Sequence, residues 1–439
     1  MNVMFSEEIS LYKKTSDEDK KEDISEKIIG YLKSRNIYIY GGGNAGSTLT
    51  AAFKEHNIRP FLILDRNYKV IKEICGCPVA SPERLSEADV ENSVVIVAIN
   101  AEVIRNLNSE TYQNICKFAK DIDVIEIGAD ITSILNYAKC SENLKNGGDF
   151  AIVNCLKCGA ETRSCKIYRQ YLRNIAKKPS ARPGKLSGEF DWFGYIMGQH
   201  CTLRCKHCCE HVPYLKNKSF SSPEVIISDC AKIANACEFI RYIELIGGEP
   251  FLHPQLAEVV KGLLRLENVG YVKMFTNGTV VPGAEMVELL KNKRVVLNFS
   301  NYEGQVEGKL ADNIQTFRKI LADEKIDYIF SESKTWTDWG EFELRGRTDE
   351  QTAYNAKNCF CYNCHRVYEG IIYRCPHQYA GIIKGKMGFT EGEYVNLSTT
   401  PSDKLGAALD ALEDLPFTEA CKRCDMPFDC PEVAAAIQL

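Results

Sequence analysis

The sequence of 439 residues has no long apolar run and little net charge. Its first 20 residues alternate polar and charged side chains, so they lack the apolar stretch of a signal peptide. No segment approaches the roughly 18 apolar residues that a membrane-spanning helix needs. A formal net charge of −5 gives no electrostatic reason to expect nucleic acid or a membrane surface as partner. These absences predict a cytoplasmic protein that binds neither.

Tandem repeats and low-complexity tracts are also absent, and two series of apolar runs alternate with helix-length segments. The first series has strand-like runs at 37–40, 60–64, 94–99 and 124–127, with a helix-like stretch at 47–56. The second has strand-like runs at 192–196, 242–246, 271–275, 295–299 and 328–330, with helix-length segments at 223–237 and 254–266. This alternation predicts two parallel sheets, the second as an open or closed β/α barrel.

The composition of individual segments indicates where the α/β chain divides into domains. Residues 1–28 are highly charged and are predicted to form a solvated helix or a frayed arm. A basic, cysteine-containing connector at 138–187 ends in a Pro/Gly-rich segment, which indicates a domain boundary. The predicted domains are therefore a Rossmann-like sheet at 29–137, a barrel at 188–345 and a small cysteine-rich domain at 346–439.

Cysteine is abundant, with 20 residues. Without an export signal, closely spaced cysteines indicate metal ligation or redox chemistry rather than disulfides. The thiols concentrate at 155–165, at 201–209 and at 359–430. The first group, Cys155, Cys158 and Cys165, matches no ligand pattern, and we expect a structural or incidental role for it.

Cys201, Cys205 and Cys208 have the spacing CxxxCxxC. Three thiolates leave one iron of a cubane cluster free to chelate a small molecule, whereas a closed structural site uses four protein ligands. The alternative is a zinc knuckle that takes His207 or Cys209 as its fourth ligand. Spacing alone leaves both readings open.

The surrounding motifs resemble those of the radical S-adenosylmethionine (SAM) superfamily. The cysteine triad follows the first barrel strand, a Gly-Gly-Glu-Pro motif at 247–250 ends the second, and Thr-Asn-Gly at 276–278 ends the third. The family usually has an aromatic residue before the third cysteine, where this chain has His207. The resemblance covers roughly residues 190–345 and implies a partial (β/α)6 barrel.

The resemblance also implies cofactors and their ligands. A [4Fe-4S] cluster on the triad would pass one electron to SAM, and the resulting 5′-deoxyadenosyl radical would remove hydrogen from a substrate carbon. An external donor of the flavodoxin or ferredoxin type would reduce the cluster. The residues implied in SAM binding are His207, Gly247, Gly248, Glu249, Pro250, Asn277 and either Ser300 or Asn301.

The C-terminal thiols resemble the SPASM and Twitch extensions that bind auxiliary clusters. Their spacing fits C-x10-G-x4-C followed by C-x2-C-x5-C, but Ala434 stands where a full SPASM pattern has another cysteine. One auxiliary [4Fe-4S] cluster is therefore expected, with a zinc ribbon as the alternative. The preferred ligands are Cys359, Cys375, Cys421 and Cys424, with Cys361 or Cys364 able to replace Cys359 and with Cys430 as a further candidate.

The N-terminal unit carries a G-x-G-x-x-G motif between a strand and a helix. Gly41, Gly43 and Gly46 form it, and Asp65 ends the next strand. This context suits a phosphate at the helix N-terminus and a ribose at the acid. The alternative is a tight turn that needs glycine without any ligand. The unit resembles the Rossmann-like domains of glycan-modifying enzymes, which implies a nucleotide or nucleotide-sugar.

Together these features predict a radical SAM oxidoreductase that acts on a small molecule. The N-terminal unit favours a sugar, a nucleotide-linked sugar or a glycan precursor, and an auxiliary cluster would accept the substrate's second electron in a dehydrogenation. One alternative is a peptide-modifying SPASM maturase. Another is a zinc-stabilised scaffold or redox sensor without turnover. Candidate substrate-site side chains are Tyr302, Glu332, Trp336 and Trp339, although the two tryptophans are expected rather to pack the barrel against the C-terminal domain.

Overall fold

The computed structural model describes residues 2–15, 18–99, 111, 113–126, 128–146, 152, 189–216, 218–331 and 335–439. The chain divides into two compact units, residues 1–169 and 170–439. The predicted connector at 138–187 lies mostly outside the described residues, as do Cys155, Cys158, Cys165 and Glu332.

The first unit is built on a seven-stranded sheet in the order β1-β7-β6-β2-β3-β5-β4. Its strands are β1 (Asn2–Val3), β2 (Asn36–Tyr40), β3 (Leu62–Leu64), β4 (Glu73–Ile74), β5 (Cys77–Ala80), β6 (Ser93–Val97) and β7 (Asp123–Ile125). Its helices are α1 (Ser6–Lys14), α2 (Glu18–Lys33), α3 (Asn44–Glu55) and α4 (Gly128–Lys145). All neighbouring strands are parallel except β4 and β5. The order β5-β3-β2-β6-β7 reverses at β2, as in a doubly wound sheet.

The prediction of a separate charged arm at 1–28 is wrong. Val3 on β1 pairs with Val124 on β7, so the first residues add a strand to the sheet. Ile9 on α1 and Ile24 and Ile28 on α2 are buried in the core of this unit. The charged residues lie on the opposite faces of amphipathic helices, and the apolar positions anchor those helices. The helix α4 also continues past the predicted domain end at residue 137.

The second unit contains five consecutive parallel strands connected by helices. The strands are β8 (Glu189–Gly198), β9 (Phe239–Gly247), β10 (Val269–Thr276), β11 (Val295–Ser300) and β12 (Ile329–Ser331). The intervening helices are α5 (Pro223–Ala236), α6 (Leu256–Leu264), α7 (Ala284–Leu290) and α8 (Lys309–Asp323). Each observed strand overlaps a predicted one, and the order of strands and helices is that of a partial parallel β/α barrel.

The rest of the unit extends this sheet instead of forming a separate layer. It comprises β13 (Thr335–Thr337), α9 (Asp349–Asn358), β14 (Arg366–Tyr368), β15 (Ile371–Tyr373), α10 (Pro376–Ile383), β16 (Tyr394–Asn396), α11 (Leu405–Glu413) and β17 (Glu432–Ala434). β14 pairs in parallel with the edge strand β8, and β15 and β16 follow antiparallel. β13 and β17 form a small separate sheet.

The sixth parallel strand therefore differs from the predicted (β/α)6 pattern. Among the described residues it is β14, next to the first barrel strand, rather than a strand that follows β12. An exposed strand edge offers unpaired backbone donors and acceptors, and β14 satisfies those of β8. None of the helices in the described ranges is long and apolar enough to span a bilayer.

Candidate active site

The three triad cysteines lie on the loop that follows β8 and line one cavity of about 620 Å³. The backbone N–H of Leu203 and the Asn277 side-chain amide both donate to Cys201 Sγ, at 3.4 and 3.6 Å. Burial raises the pKa of Cys201 to about 11 and that of Cys208 to about 12. A buried thiolate therefore needs a compensating positive centre, which the iron atoms of a cluster would supply.

The donor set of this loop fits an iron–sulfur cluster on chemical grounds. Three thiols open onto one cavity, and N–H donors already point at two of the sulfurs. In the part of the chain that the structure describes, no three His, Cys, Asp or Glu side chains are grouped closely enough to hold a single metal ion. A cubane spreads its ligands over several irons, and so it requires wider spacing than a mononuclear site.

The Gly-Gly-Glu-Pro motif ends β9 and packs directly against the entry to the triad loop. Gly247 has φ +132°, a backbone conformation that favours glycine. A Cβ on Gly248 would lie 1.8 Å from the carbonyl oxygen of His200. The backbone N–H of Glu249 donates to that same carbonyl at 2.7 Å, and Pro250 starts a short 3-10 helix. The two motifs, about forty residues apart in sequence, are thus held in backbone contact.

Glu249 connects the motif that ends β9 to the motif that ends β10. Its carboxylate accepts hydrogen bonds from the Phe251 N–H (3.1 Å), the Thr276 hydroxyl (2.8 Å) and the Asn277 N–H (2.8 Å). Burial nevertheless raises the pKa of Glu249 to about 7. The carboxylate lines the cavity, where a cationic ligand would stabilise its ionised form.

The other predicted SAM-site residues divide into two groups. Asn277, His207 and Ser300 line the cavity, and His207 Nδ1 lies 3.1 Å from Asp338 Oδ2. The Asn277 amide also donates to Thr202 Oγ1 at 3.1 Å, so it supports the triad loop. Asn301 is not among the lining residues, and its side-chain oxygen accepts the Glu303 N–H at 3.0 Å. Of the two alternatives after β11, the geometry favours Ser300.

Sequence reasoning missed a charged wall of the same cavity. Arg366 Nε donates to Glu210 Oε1 at 2.9 Å, and each residue is 7% exposed. Glu210 Oε2 is buried and has no hydrogen-bond partner among the described residues. Glu244 lies in the middle of β9, and its Oε1 is 3.7 Å from Lys273 Nζ. Burial raises the pKa of Glu244. One signal was available, because Glu244 is the single charged residue in the predicted strand at 242–246.

Aromatic side chains cover another part of the cavity. Tyr302, Trp336 and Trp339 are all lining residues, and the rings of Tyr302 and Trp336 meet edge to face with centroids 6.1 Å apart. Trp336 also packs against the hydrophobic core of this unit, so the expectation that the two tryptophans pack the barrel against the C-terminal domain stays a prediction. They are positioned to contact a ligand.

The preferred auxiliary cysteines come from three segments. Cys359 follows α9, Cys375 precedes α10, and Cys421 and Cys424 lie in or next to the 3-10 helix Glu419–Arg423. Burial raises the pKa of Cys375 well above its ordinary value, and the charges of Cys421, Cys424 and Cys359 add to this effect. These four thiols are therefore electrostatic neighbours.

The remaining C-terminal thiols lie differently. Cys361 interacts with both Cys359 and Cys364, and hydrogen bonding to Cys361 lowers the pKa of Cys359 and that of Cys364. Cys430 lines the central cavity together with the triad. The ligand set stays a prediction, but the position of Cys430 sets it apart from the other candidates.

In the first unit the glycine-rich turn joins β2 to α3. A Cβ on Gly46 would lie 2.0 Å from the carbonyl oxygen of Gly41, so close packing requires glycine there. A Cβ on Gly43 would meet nothing within 4 Å. Asp65 accepts the backbone N–H groups of Gly42 (2.6 Å) and Asn67 (2.7 Å). The acid thus holds the turn in place, a role that sequence reasoning did not assign to it.

Comparison with curated proteins identifies relatives of part of the chain. The GTP 3′,8-cyclase of Clostridium perfringens is 26% identical over 144 residues, which cover 31% of this chain and 42% of the relative. The human molybdenum cofactor biosynthesis protein 1 is 30% identical over 113 residues, which cover 25% of this chain and 18% of the relative. The chain thus spans less than half the length of these relatives.

Solved structures give weaker likenesses. The anSMEcpe protein with bound AdoMet is 10% identical with a TM-score of 0.35, covering 54% of this chain and 83% of that one. BtrN in complex with AdoMet and 2-DOIA is 14% identical with a TM-score of 0.34, covering 54% and 93%. TM-scores this low do not establish a shared fold. The sequence of residues 195–308, however, matches the Radical SAM superfamily, so this part of the barrel is a radical SAM domain.

Proposed function

We propose that the chain reductively cleaves SAM at a cluster held by Cys201, Cys205 and Cys208 and abstracts hydrogen from a small molecule, a sugar or nucleotide-linked sugar. The observation that supports this most is the convergence of the three thiols, the Gly-Gly-Glu-Pro backbone and a polar, aromatic wall on one cavity. When bound, the cluster and SAM supply a one-electron cleavage that leaves a carbon radical. The protein orients SAM and substrate and excludes water.

The cavity wall suits a glycosyl group. Glu210 and Glu244 line the cavity and bring carboxylate groups that can accept hydrogen bonds from hydroxyl or amine donors. Trp336 and Trp339 can cover the C–H faces of a sugar ring. Aromatic surface with a few placed polar groups is the usual composition of a small-molecule site.

The same wall argues against placing a triphosphate in the cavity. Some relatives are named GTP 3′,8-cyclases, but the lining side chains here include four carboxylates, Glu210, Glu244, Glu249 and Glu432, and one guanidinium, Arg366. That guanidinium is already paired with Glu210. Among the described lining residues no lysine or arginine is left unpaired to bind a polyphosphate, so for a nucleotide-linked substrate we propose that the sugar end enters.

Cleavage of SAM is the first property to test. Anaerobically reconstituted, dithionite-reduced protein should form 5′-deoxyadenosine from SAM, measured by chromatography, and Cys208→Ala should form none. Cys230→Ala is the matched control, because Cys230 is a fully buried thiol on α5 outside the cavity. Equal product from wild type and Cys208→Ala would contradict the proposed site. Protein that holds zinc and refuses iron would support the scaffold alternative instead.

The substrate class requires a separate measurement. We expect reconstituted Gly43→Val protein with SAM, in which the proposed nucleotide site of the first unit is blocked, to bind UDP-glucose more tightly than GTP or a ribosomal leader peptide in isothermal titration calorimetry. Trp336→Ala should weaken that binding by about tenfold, because stacking surface is lost. Trp192→Ala is the control, since Trp192 stacks on Tyr242 outside the cavity. Tighter binding of the peptide would favour the maturase alternative.

A nucleotide site in the first unit is a second, separate part of the proposal. Gly46 meets the packing demand of the turn, whereas Gly43 is exposed and has open space around it, as close approach of a phosphate requires. UDP binding to the full chain should be lost in Gly43→Val and kept in Gly30→Val, where a Cβ also meets nothing within 4 Å. Equal UDP affinity in the two variants would leave the turn with a purely structural role.

A further inference from the structure

A short segment far along the chain runs beside the triad loop. The backbone N–H of Lys206 donates to the Ile437 carbonyl at 2.7 Å, and that of Leu439 donates to the Arg204 carbonyl at 2.9 Å. Between them, Cys205 and Gln438 form an antiparallel bridge. Residues 437–439 therefore hold the backbone on both sides of the central triad cysteine.

The Gln438 side chain adds three hydrogen bonds to this bridge. Its Oε1 accepts the Arg204 N–H at 2.8 Å, and its Nε2 donates to the Ala436 carbonyl at 2.7 Å and to Cys205 Sγ at 3.2 Å. These partners fix the orientation of the amide. A flipped side chain would place its oxygen against the Ala436 carbonyl and its NH2 against the Arg204 N–H. The N–H that faces the sulfur is thus set by backbone groups.

An N–H donor at this position is matched to a thiolate rather than to a thiol. A neutral sulfur is a weak acceptor, whereas hydrogen bonds to ionised acceptors are markedly stronger. The amide therefore favours the charged, metal-ligating form of the residue.

We propose that Gln438 is a positioning residue for the cluster, which fixes Cys205 and raises the reduction potential of the cluster. The inference rests on the cluster of the proposed function, but not on SAM cleavage. Adding an electron places more negative charge on the cluster and its thiolates, so the N–H···S bond is stronger in the reduced state. Hydrogen bonds to the sulfurs are among the factors that set cluster potentials.

Two variants distinguish the effect of the hydrogen-bond donor from the effect of the size of the side chain. Gln438→Met keeps an unbranched side chain but loses all three hydrogen bonds. Gln438→Glu keeps an acceptor for the Arg204 N–H and places a carboxylate oxygen at the sulfur. The control is Ile437→Ala, because the Ile437 side chain is 44% exposed and its bridging carbonyl belongs to the backbone.

The experiment is a redox titration of reconstituted full-length protein, followed by electron paramagnetic resonance. The triad signal is the one missing from a variant with Cys201, Cys205 and Cys208 all replaced by alanine. At the potential that reduces half of the wild-type clusters, we expect the ratio of reduced to oxidised cluster to fall about tenfold in Gln438→Met and further in Gln438→Glu. Ile437→Ala should match wild type.

A second readout tests the positioning role. Release of iron to a chelator should be faster in Gln438→Met than in Ile437→Ala, because Cys205 loses part of its support. Midpoint potentials and iron release equal to wild type in both Gln438 variants would overturn the inference. Neither measurement requires SAM turnover. Failure of the proposed catalytic function would therefore be seen separately, as cluster-loaded wild-type protein that forms no 5′-deoxyadenosine.

Discussion

Replacing Gly248 by alanine should disable the triad without touching any of its cysteines. The added Cβ would lie 1.8 Å from the His200 carbonyl oxygen, 2.4 Å from its carbon and 3.0 Å from the Cys201 nitrogen. All three are backbone atoms, so no flexible side chain can move aside. Real Cβ contacts are essentially never below 3.0 Å, and the loop must therefore shift by about 1.2 Å.

A shift of that size acts on the first cluster ligand, because Cys201 directly follows His200. Misplacement of reacting groups by about 1 Å can cost roughly a hundredfold in rate. Overpacking of this kind costs about 1–3 kcal/mol in the free energy of unfolding, which a domain of this size can survive. We therefore expect folded Gly248→Ala protein whose 5′-deoxyadenosine formation is about a hundredfold lower, with a reduced iron content.

Gly283→Ala is the matched control in the same barrel. A Cβ on Gly283 meets nothing within 4 Å, and its φ of −72° suits alanine. Circular dichroism and denaturant titration would establish that both variants fold, and iron analysis with product chromatography would compare their sites. Wild-type iron content and activity in folded Gly248→Ala would refute the claim that backbone contact between the two motifs positions the triad.

Three other changes test separate parts of the site. Cys375→Ala should lower reconstituted iron by about four atoms per chain relative to Cys237→Ala, and an unchanged iron content would exclude Cys375 as an auxiliary-cluster ligand. Asn277→Ala removes donors to Cys201 and Thr202, so product formation should fall about tenfold, whereas wild-type rates would show that these bonds are dispensable. Burial, with the charges of two nearby arginines, lowers the pKa of His365 from 6.5 to about 3, so the unfolded chain binds a proton that the folded chain does not. Between pH 6.5 and about 3, His365 should therefore lower the free energy of unfolding by about 1.4 kcal/mol for each unit of falling pH, in addition to what the similarly buried His211 and His377 contribute. His365→Gln, compared with wild type by denaturant titration at each pH, should have a slope that is smaller by this amount, and an unchanged slope would exclude His365 as a contributor.

Hydrophobic periodicity predicted β2, β3, β6 and β7 of the first sheet and β8 to β12 of the second, because parallel strands buried on both faces have nearly continuous apolar sequences. It did not predict the short strands β4, β5, β15 and β16. It failed for residues 1–28, where Ile9, Ile24 and Ile28 are few among many charges but fall on one helical face. It also failed for β14, since a three-residue strand carries no periodic signal and its pairing with β8 depends on tertiary contact. The local sequence pattern thus predicts individual helices and strands. Which strands pair at the edge of a sheet depends instead on which strand still has free backbone donors and acceptors.

The site residues likewise divide into those that a local motif predicts and those that only the fold brings to the site. The triad and the Gly-Gly-Glu-Pro motif are readable because each is a contiguous sequence at a strand end. Their supports are not, since Asn277 and Gln438 contact Cys201 and Cys205 from 76 and 233 residues away. Arg366 reaches Glu210 across 156 residues. A loop with three reactive ligands cannot stabilise itself with its own short sequence, so its geometry is set by groups that only the fold brings together. Variants of those distant groups, rather than of the cysteines, are therefore the ones that should separate cluster positioning from cluster ligation.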